Sequence, residues 1–117
     1  MGYELYFGSG GGATGEINAY CLLDNGRLYH RPTKTGEFFL VDRIPKRRRN
    51  DLFWQVDNLD LFGVQFLEHE NRFRFLQIKG QEGVNRVMWG DRTASQLPDG
   101  ITDLYKELQV IAAESRD

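Results

Sequence analysis

The chain reads as an α+β domain: an antiparallel β-sheet of about five or six strands with two helices packed on one face, in the order β-β-β-β-α-β-β-α. Three observations predict this. Asp24-Asn25-Gly26 stands between two alternating runs, and Asn-Gly is a strong hairpin signal because both residues tolerate the positive φ of a type I′ turn. Gly80-Gln81-Glu82-Gly83 separates "RFRFLQIK" (72–79) from "VNRVMW" (84–89), which predicts a second hairpin. Pro98 and Asp99 open a helix whose Ile101, Leu104, Tyr105, Leu108, Ile111 and Ala112 recur on one face.

The remaining elements follow in order. Tyr3, Leu5 and Phe7 alternate with Glu4 and Tyr6, so residues 3–7 read as a strand. Ile17, Ala19, Cys21 and Leu23 alternate too, although Ile17, Tyr20 and Cys21 also fit a helical face. The Asn25-Gly26 turn arbitrates, giving strands over 17–23 and 27–31. Pro32 to Gly36 reads as a turn, and Phe38-Phe39-Leu40-Val41 as a short β-favouring run. Pro45 marks a helix start, followed by an apolar stripe of Leu52, Phe53, Val56 and Leu59. Residues 60–71 read as an irregular connection.

At 117 residues without a linker or repeat, one domain over 1–117 is expected. The composition, 40% hydrophobic and 27% charged, is that of a folded chain rather than a disordered one. A net charge of -2 supplies no global attraction to nucleic acid or anionic membrane, so either partner would need a local patch. The single cysteine, Cys21, excludes an internal disulfide framework and a Cys-cluster zinc site. No apolar run approaches the ~20 residues of a membrane-spanning helix. The expected compartment is the cytoplasm for the chain as it stands, or export if a signal or lipobox has been trimmed from it.

The glycine cluster in "YFGSGGGATGEINAY" raises the question of a nucleotide loop, because Gly10, Gly12 and Gly15 fit the dinucleotide spacing G-x-G-x-x-G. That fingerprint works only when a helix follows and points its N-terminus at the pyrophosphate. Here the turn at Asn25-Gly26 comes too soon for a crossover helix. Glu16 stands where a P-loop needs lysine, and the partner motifs of a kinase glycine loop are missing. No cofactor is expected. The loop reads as a glycine-rich hairpin connection whose bare backbone another chain can approach closely.

Other chemistry is sparse. His30 and His69 are the only histidines, and Glu68-His69-Glu70 would project successive side chains to opposite sides of an extended chain. Cys21 lies between Tyr20 and Leu22, without an adjacent base, and reads as a small buried hydrophobe. No catalytic constellation emerges, so the expectation is a protein that is not an enzyme. Arg43 and Lys46-Arg47-Arg48-Arg49 form a basic run that opposes the helix dipole at its N-terminus, a candidate patch for an acidic partner. In Arg72-Phe73-Arg74-Phe75 the phenylalanines are expected in the core and the arginines in water.

The order of these features resembles a known family. A first strand runs into Gly11-Gly12, a small residue and Gly15, then a second strand; a mid-chain helix, the hairpin "RFRFLQIKGQEGVNRVMWGD" and a last helix opened by Pro98 follow. This is similar to small bacterial proteins of the emfourin type and to short lipoproteins of similar pattern. Ala13 stands where that pattern has an aromatic residue. The resemblance implies an inhibitor of thermolysin-like metallopeptidases, hence a protein partner.

The expected function is therefore a non-catalytic protein-binding module. Its candidate surface is Gly10, Gly11, Gly12, Ala13, Thr14, Gly15 and Tyr20, with Tyr3 and Tyr6 nearby. Two alternatives stand beside it: a ligand-binding or enzymatic domain using the concave sheet face, and a subunit whose edge strands pair into a homodimer. No nucleic-acid partner is expected.

Overall fold

A computed structural model describes residues 2–115. Its strands are β1 (Glu4–Gly11), β2 (Glu16–Leu23), β3 (Arg27–Arg31), β4 (Phe39–Arg43), β5 (Phe66–Leu67), β6 (Arg72–Gly80) and β7 (Gly83–Trp89). Helix α1 (Lys46–Leu59) lies between β4 and β5, and α2 (Ile101–Glu114) follows β7. The strands form one sheet in the order β4-β3-β2-β1-β6-β7-β5. Every pairing is antiparallel except β5 with β7. The fold is α+β, with one strand more than the five or six expected.

The extra strand is β5, inside the segment read as irregular. Two residues carry no periodicity, so only pairing reveals it: Phe66 and Leu67 run beside Val87 and Met88. Asn85 anchors the approach by donating its side-chain amide to the Leu61 and Val64 carbonyls, at 2.6 and 2.7 Å. Strand β1 also runs past its expected end at Phe7, through Gly8 to Gly11. Glycine is a poor strand former, but β1 is the central strand and its backbone is paired to both β2 and β6. Helix α2 starts at Ile101, later than Pro98, with Gly100 as its N-cap at φ 90°.

Register decides what each face carries. Residues paired across an antiparallel ladder project to the same side. Leu5, Leu22, Leu28 and Ile78 share one row, and Phe7, Tyr20, Leu76 and Val87 the next. These rows meet Leu52 and Val56 of α1 and the predicted stripe of α2 in the main core. All six α2 positions read from periodicity are buried. Trp89 closes the core edge-on to Tyr105, with ring centres 5.1 Å apart. The helices are tied to each other by Gln55 to Glu107 at 2.9 Å and by Arg48 to Glu114 at 2.8 Å. No described helix is long and apolar enough to cross a membrane.

One expectation about faces is overturned. Phe73 and Phe75 do not enter the core beneath the helices; they project from the opposite, open face of the sheet. The helix-facing positions of β6 are Leu76 and Ile78, preceded by Arg72 and Arg74 where α2 no longer covers the sheet. The alternation is present with its sense inverted, because "RFRFLQIK" is apolar on both faces and changes polarity midway.

Candidate functional site: the open face of the sheet

A sheet covered on one side normally turns polar residues to water on the other. Here the uncovered side has its own apolar cluster. Ala19, Phe75 and Met88 are buried, and Tyr6, Ile17, Phe38 and Phe73 pack around them partly buried. Phe38 reaches this face from the loop before β4 and meets Tyr6 edge-on at 5.9 Å. Two guanidinium groups lie over the aromatics: Arg86 is 4.6 Å from the Phe75 ring centre and Arg31 is 4.9 Å from that of Phe38. Such stacking holds a cation in place while its edge stays able to meet a carboxylate.

Among the described residues neither arginine has an ion pair, and the buried Nε of each has no hydrogen-bond partner. Burial lowers the affinity of the Arg86 guanidinium for its proton, since no carboxylate offsets the desolvation. The charge of the whole face points the same way. Arg27, Arg31, Arg43, Lys79 and Arg86 occupy open-face strand positions, against Glu4 alone. Glu4 already accepts the Tyr6 hydroxyl at 2.6 Å. Around these cations Leu40, Leu67 and Val84 are exposed on the same face.

The glycines of β1 make this surface. Gly8 and Gly10 are its open-face positions, so neighbouring strands close over a bare central backbone. A Cβ on Gly10 would stand 2.9 Å from the Phe73 ring and 3.0 Å from the Ile17 side chain. At Gly11, φ is 93° and an added Cβ would collide with the Asn71 carbonyl. That carbonyl accepts the Gly12 amide at 2.8 Å, which joins the hairpin to the start of β6.

The residues singled out from sequence separate in space. Gly10 and Gly11 end β1, while Gly12, Ala13, Thr14 and Gly15 form the turn, the last three exposed. Tyr20 lies apart from them, buried on the helix side between Phe7 and His30, with ring centres at 5.3 and 4.2 Å. The basic run divides as well. Arg48 binds Glu114, and Arg49 donates to the Asn25 carbonyl of the β2–β3 turn at 2.7 Å. Those tertiary bonds explain basic residues at an unfavourable helix end. Arg43, Lys46 and Arg47 are exposed.

The acidic segment has a structural task. Glu70 accepts from the amides of Arg92 and Thr93 and from the Thr93 hydroxyl, at 3.3, 3.1 and 2.7 Å. These bonds hold its carboxyl below the usual carboxylate range, the Thr93 hydroxyl contributing most. Among the described residues, no three His, Cys, Asp or Glu side chains come together as metal ligands. Cys21 is buried beside Tyr6, and burial pushes its thiol up to about 11.

Arg31, Arg86 and Phe38 do not stand out in the sequence. The signal it holds is that β3, β6 and β7 carry aromatic or basic residues at positions a solvent-facing strand would fill with small polar ones. Fold and face together define a two-layer α+β domain with an apolar, cationic open sheet. No family model matches the chain, and a search of curated proteins finds no match.

Proposed function

We propose that this chain is a non-catalytic protein-binding module, and that its open sheet face receives an acidic partner bearing apolar side chains. The observation that carries the reading is the pair of uncompensated guanidiniums, Arg31 and Arg86, stacked within an apolar field. Carboxylates would complete the arginines, while the exposed Leu40, Leu67 and Val84 would be covered. A single-stranded nucleic acid fits less well. The Phe75 ring is buried beneath Arg86, so it offers no free face for a base, and the exposed apolar groups around it are aliphatic. The resemblance to emfourin-type proteins adds a specific partner class, a thermolysin-like metallopeptidase.

Two experiments test this. A soluble peptide alternating Glu and Leu, titrated into ¹⁵N-labelled protein, is expected to shift amides of β3, β6 and β7, and Arg31→Ala with Arg86→Ala to weaken that binding. Absence of shifts, or tighter binding of a single-stranded oligonucleotide to the same face, overturns the reading. Inhibition assays against thermolysin-like metallopeptidases test the partner class, and undiminished peptidase activity at excess protein removes it.

A further inference from the structure

On the helix side, the sheet extends past the cover of α2 and forms a polar groove. Its floor is small: Ser9 and Gly11 of β1 lie in the middle of two rows. Asn18, Ser9 and Arg74 make one row, and Glu16, Gly11 and Arg72 the other. The wall is α2, where the Tyr105 hydroxyl donates to the Gly8 carbonyl at 3.0 Å and accepts from the Gln109 side-chain amide at 2.8 Å. This part of the groove encloses about 500 Å³. A second cavity of about 530 Å³ shares Arg74, Tyr105 and Gln109 with it and continues to Trp89 and Ala94. One channel thus has an arginine pair at one end and, at the other, a mixed wall in which Trp89 and Ala94 stand beside Ser95, Thr102 and Lys106.

We propose that this groove binds a small organic oxyanion, its carboxylate or phosphate head between Arg72 and Arg74 and its apolar body against Trp89 and Ala94. The Arg72 guanidinium makes no ion pair with the described residues. Arg74 is engaged by Asp91 at 2.8 Å, but the Asp91 side chain is 87% exposed, so that carboxylate is a solvent-side occupant that an incoming anion can replace. Ser9, between Asn18 and Arg74 in its row, keeps that part of the floor low, whereas Gly11 is required by its backbone, since an added Cβ would meet the Asn71 carbonyl. Asn18 is itself held by His30, Nε2 to Oδ1 at 2.6 Å. The groove lies on the opposite side of the sheet from Arg31 and Arg86, so it does not depend on the protein-binding reading.

The chain has two tryptophans, and Trp54 on α1 is exposed, so a Trp54→Phe background leaves Trp89, a core residue bordering the groove, as the fluorescent reporter. Phenyl phosphate and phenylacetate are the probes, with inorganic phosphate and toluene as single-feature controls. Saturable quenching by at least one aromatic anion is expected, and the two anions distinguish a phosphate head from a carboxylate head. Arg74→Gln should weaken binding by about tenfold or more, the loss typical of a charge-assisted bond. Asp91→Asn should strengthen it several-fold by freeing Arg74. Saturation by neither aromatic anion, equal affinity for inorganic phosphate, equal affinity for toluene, or affinities indifferent to both variants would each overturn the proposal. Thermal melts identical to the parent's establish that the variants fold.

Discussion

Tyr105 and Gly8 are 97 residues apart in sequence and joined by one buried hydrogen bond, hydroxyl to carbonyl at 3.0 Å. The bond ties the middle of α2 to the central strand, at the position where β1 loses its side chains. It also orients the wall of the polar groove, because the same hydroxyl accepts from Gln109. Helix position, strand composition and groove shape therefore meet at one oxygen atom.

Removing that oxygen tests the link. Tyr105→Phe keeps the ring against Trp89 and deletes one donor and one acceptor, so stability should fall by about 1–2 kcal/mol. Urea unfolding checks this. Tyr105→Ala also empties the core and should cost about 3–5 kcal/mol.

The glycines should rank by what surrounds them. An added Cβ at Gly8 would strike the Asn18 carbonyl, whereas at Gly15 nothing lies within 4 Å and only φ, 67°, resists. Gly15→Ala should cost about 1–2 kcal/mol, the left-handed penalty of an L-residue. Gly8→Ala should cost more, roughly 3 kcal/mol or greater, because strand backbone must move. Equal melting temperatures for the two variants would contradict this ranking.

Arg86 should separate binding from stability. Arg86→Met retains an apolar stem over Phe75 and removes the charge, so stability should change by no more than about 1 kcal/mol, the scale of one cation–π contact. Binding of the Glu/Leu peptide should fall much further. Parallel titration and chemical denaturation make the comparison.

Alkaline pH should destabilise the fold through Cys21 and Tyr105. Burial raises the thiol from 9.0 to about 11 and the phenol from 10.0 to about 12. In both cases the native state keeps a proton that the unfolded chain releases. Their contribution is therefore complete below the unfolded thiol's value of 9.0 and is lost as pH rises toward about 12. Urea midpoints measured from about pH 8 to about pH 11 should decline, and Cys21→Ala should flatten the first part of the decline. The native thiol should also react with a disulfide reagent at about pH 8 roughly a hundredfold more slowly than in urea.

Much of the architecture is legible because local chemistry writes it plainly. The α2 stripe, the Asn25-Gly26 hairpin and the "RFRFLQIK" hairpin depend on periodicity and turn residues, which short windows contain. The glycine cluster is legible only in part. That a strand rather than a helix follows it is legible from the early turn at Asn25, but its extension into β1 depends on β2 and β6 lying on either side. The candidate face is barely legible. Arg31, Phe38, Phe75 and Arg86 come from separate segments, and nothing in their spacing announces that they stack together.

What the chain determined by itself was the α+β class, the two hairpins, the buried face of α2 and the small-hydrophobe character of Cys21. Each rests on interactions between near neighbours in sequence. Tertiary structure alone decided that β1 occupies the centre of the sheet, that Phe73 and Phe75 turn away from the helices, and that Arg48 and Arg49 serve other elements while Arg31 and Arg86 stay uncompensated. The reason is register: every side chain on a strand has two faces open to it, and only pairing with distant strands and the docking of two helices selects between them.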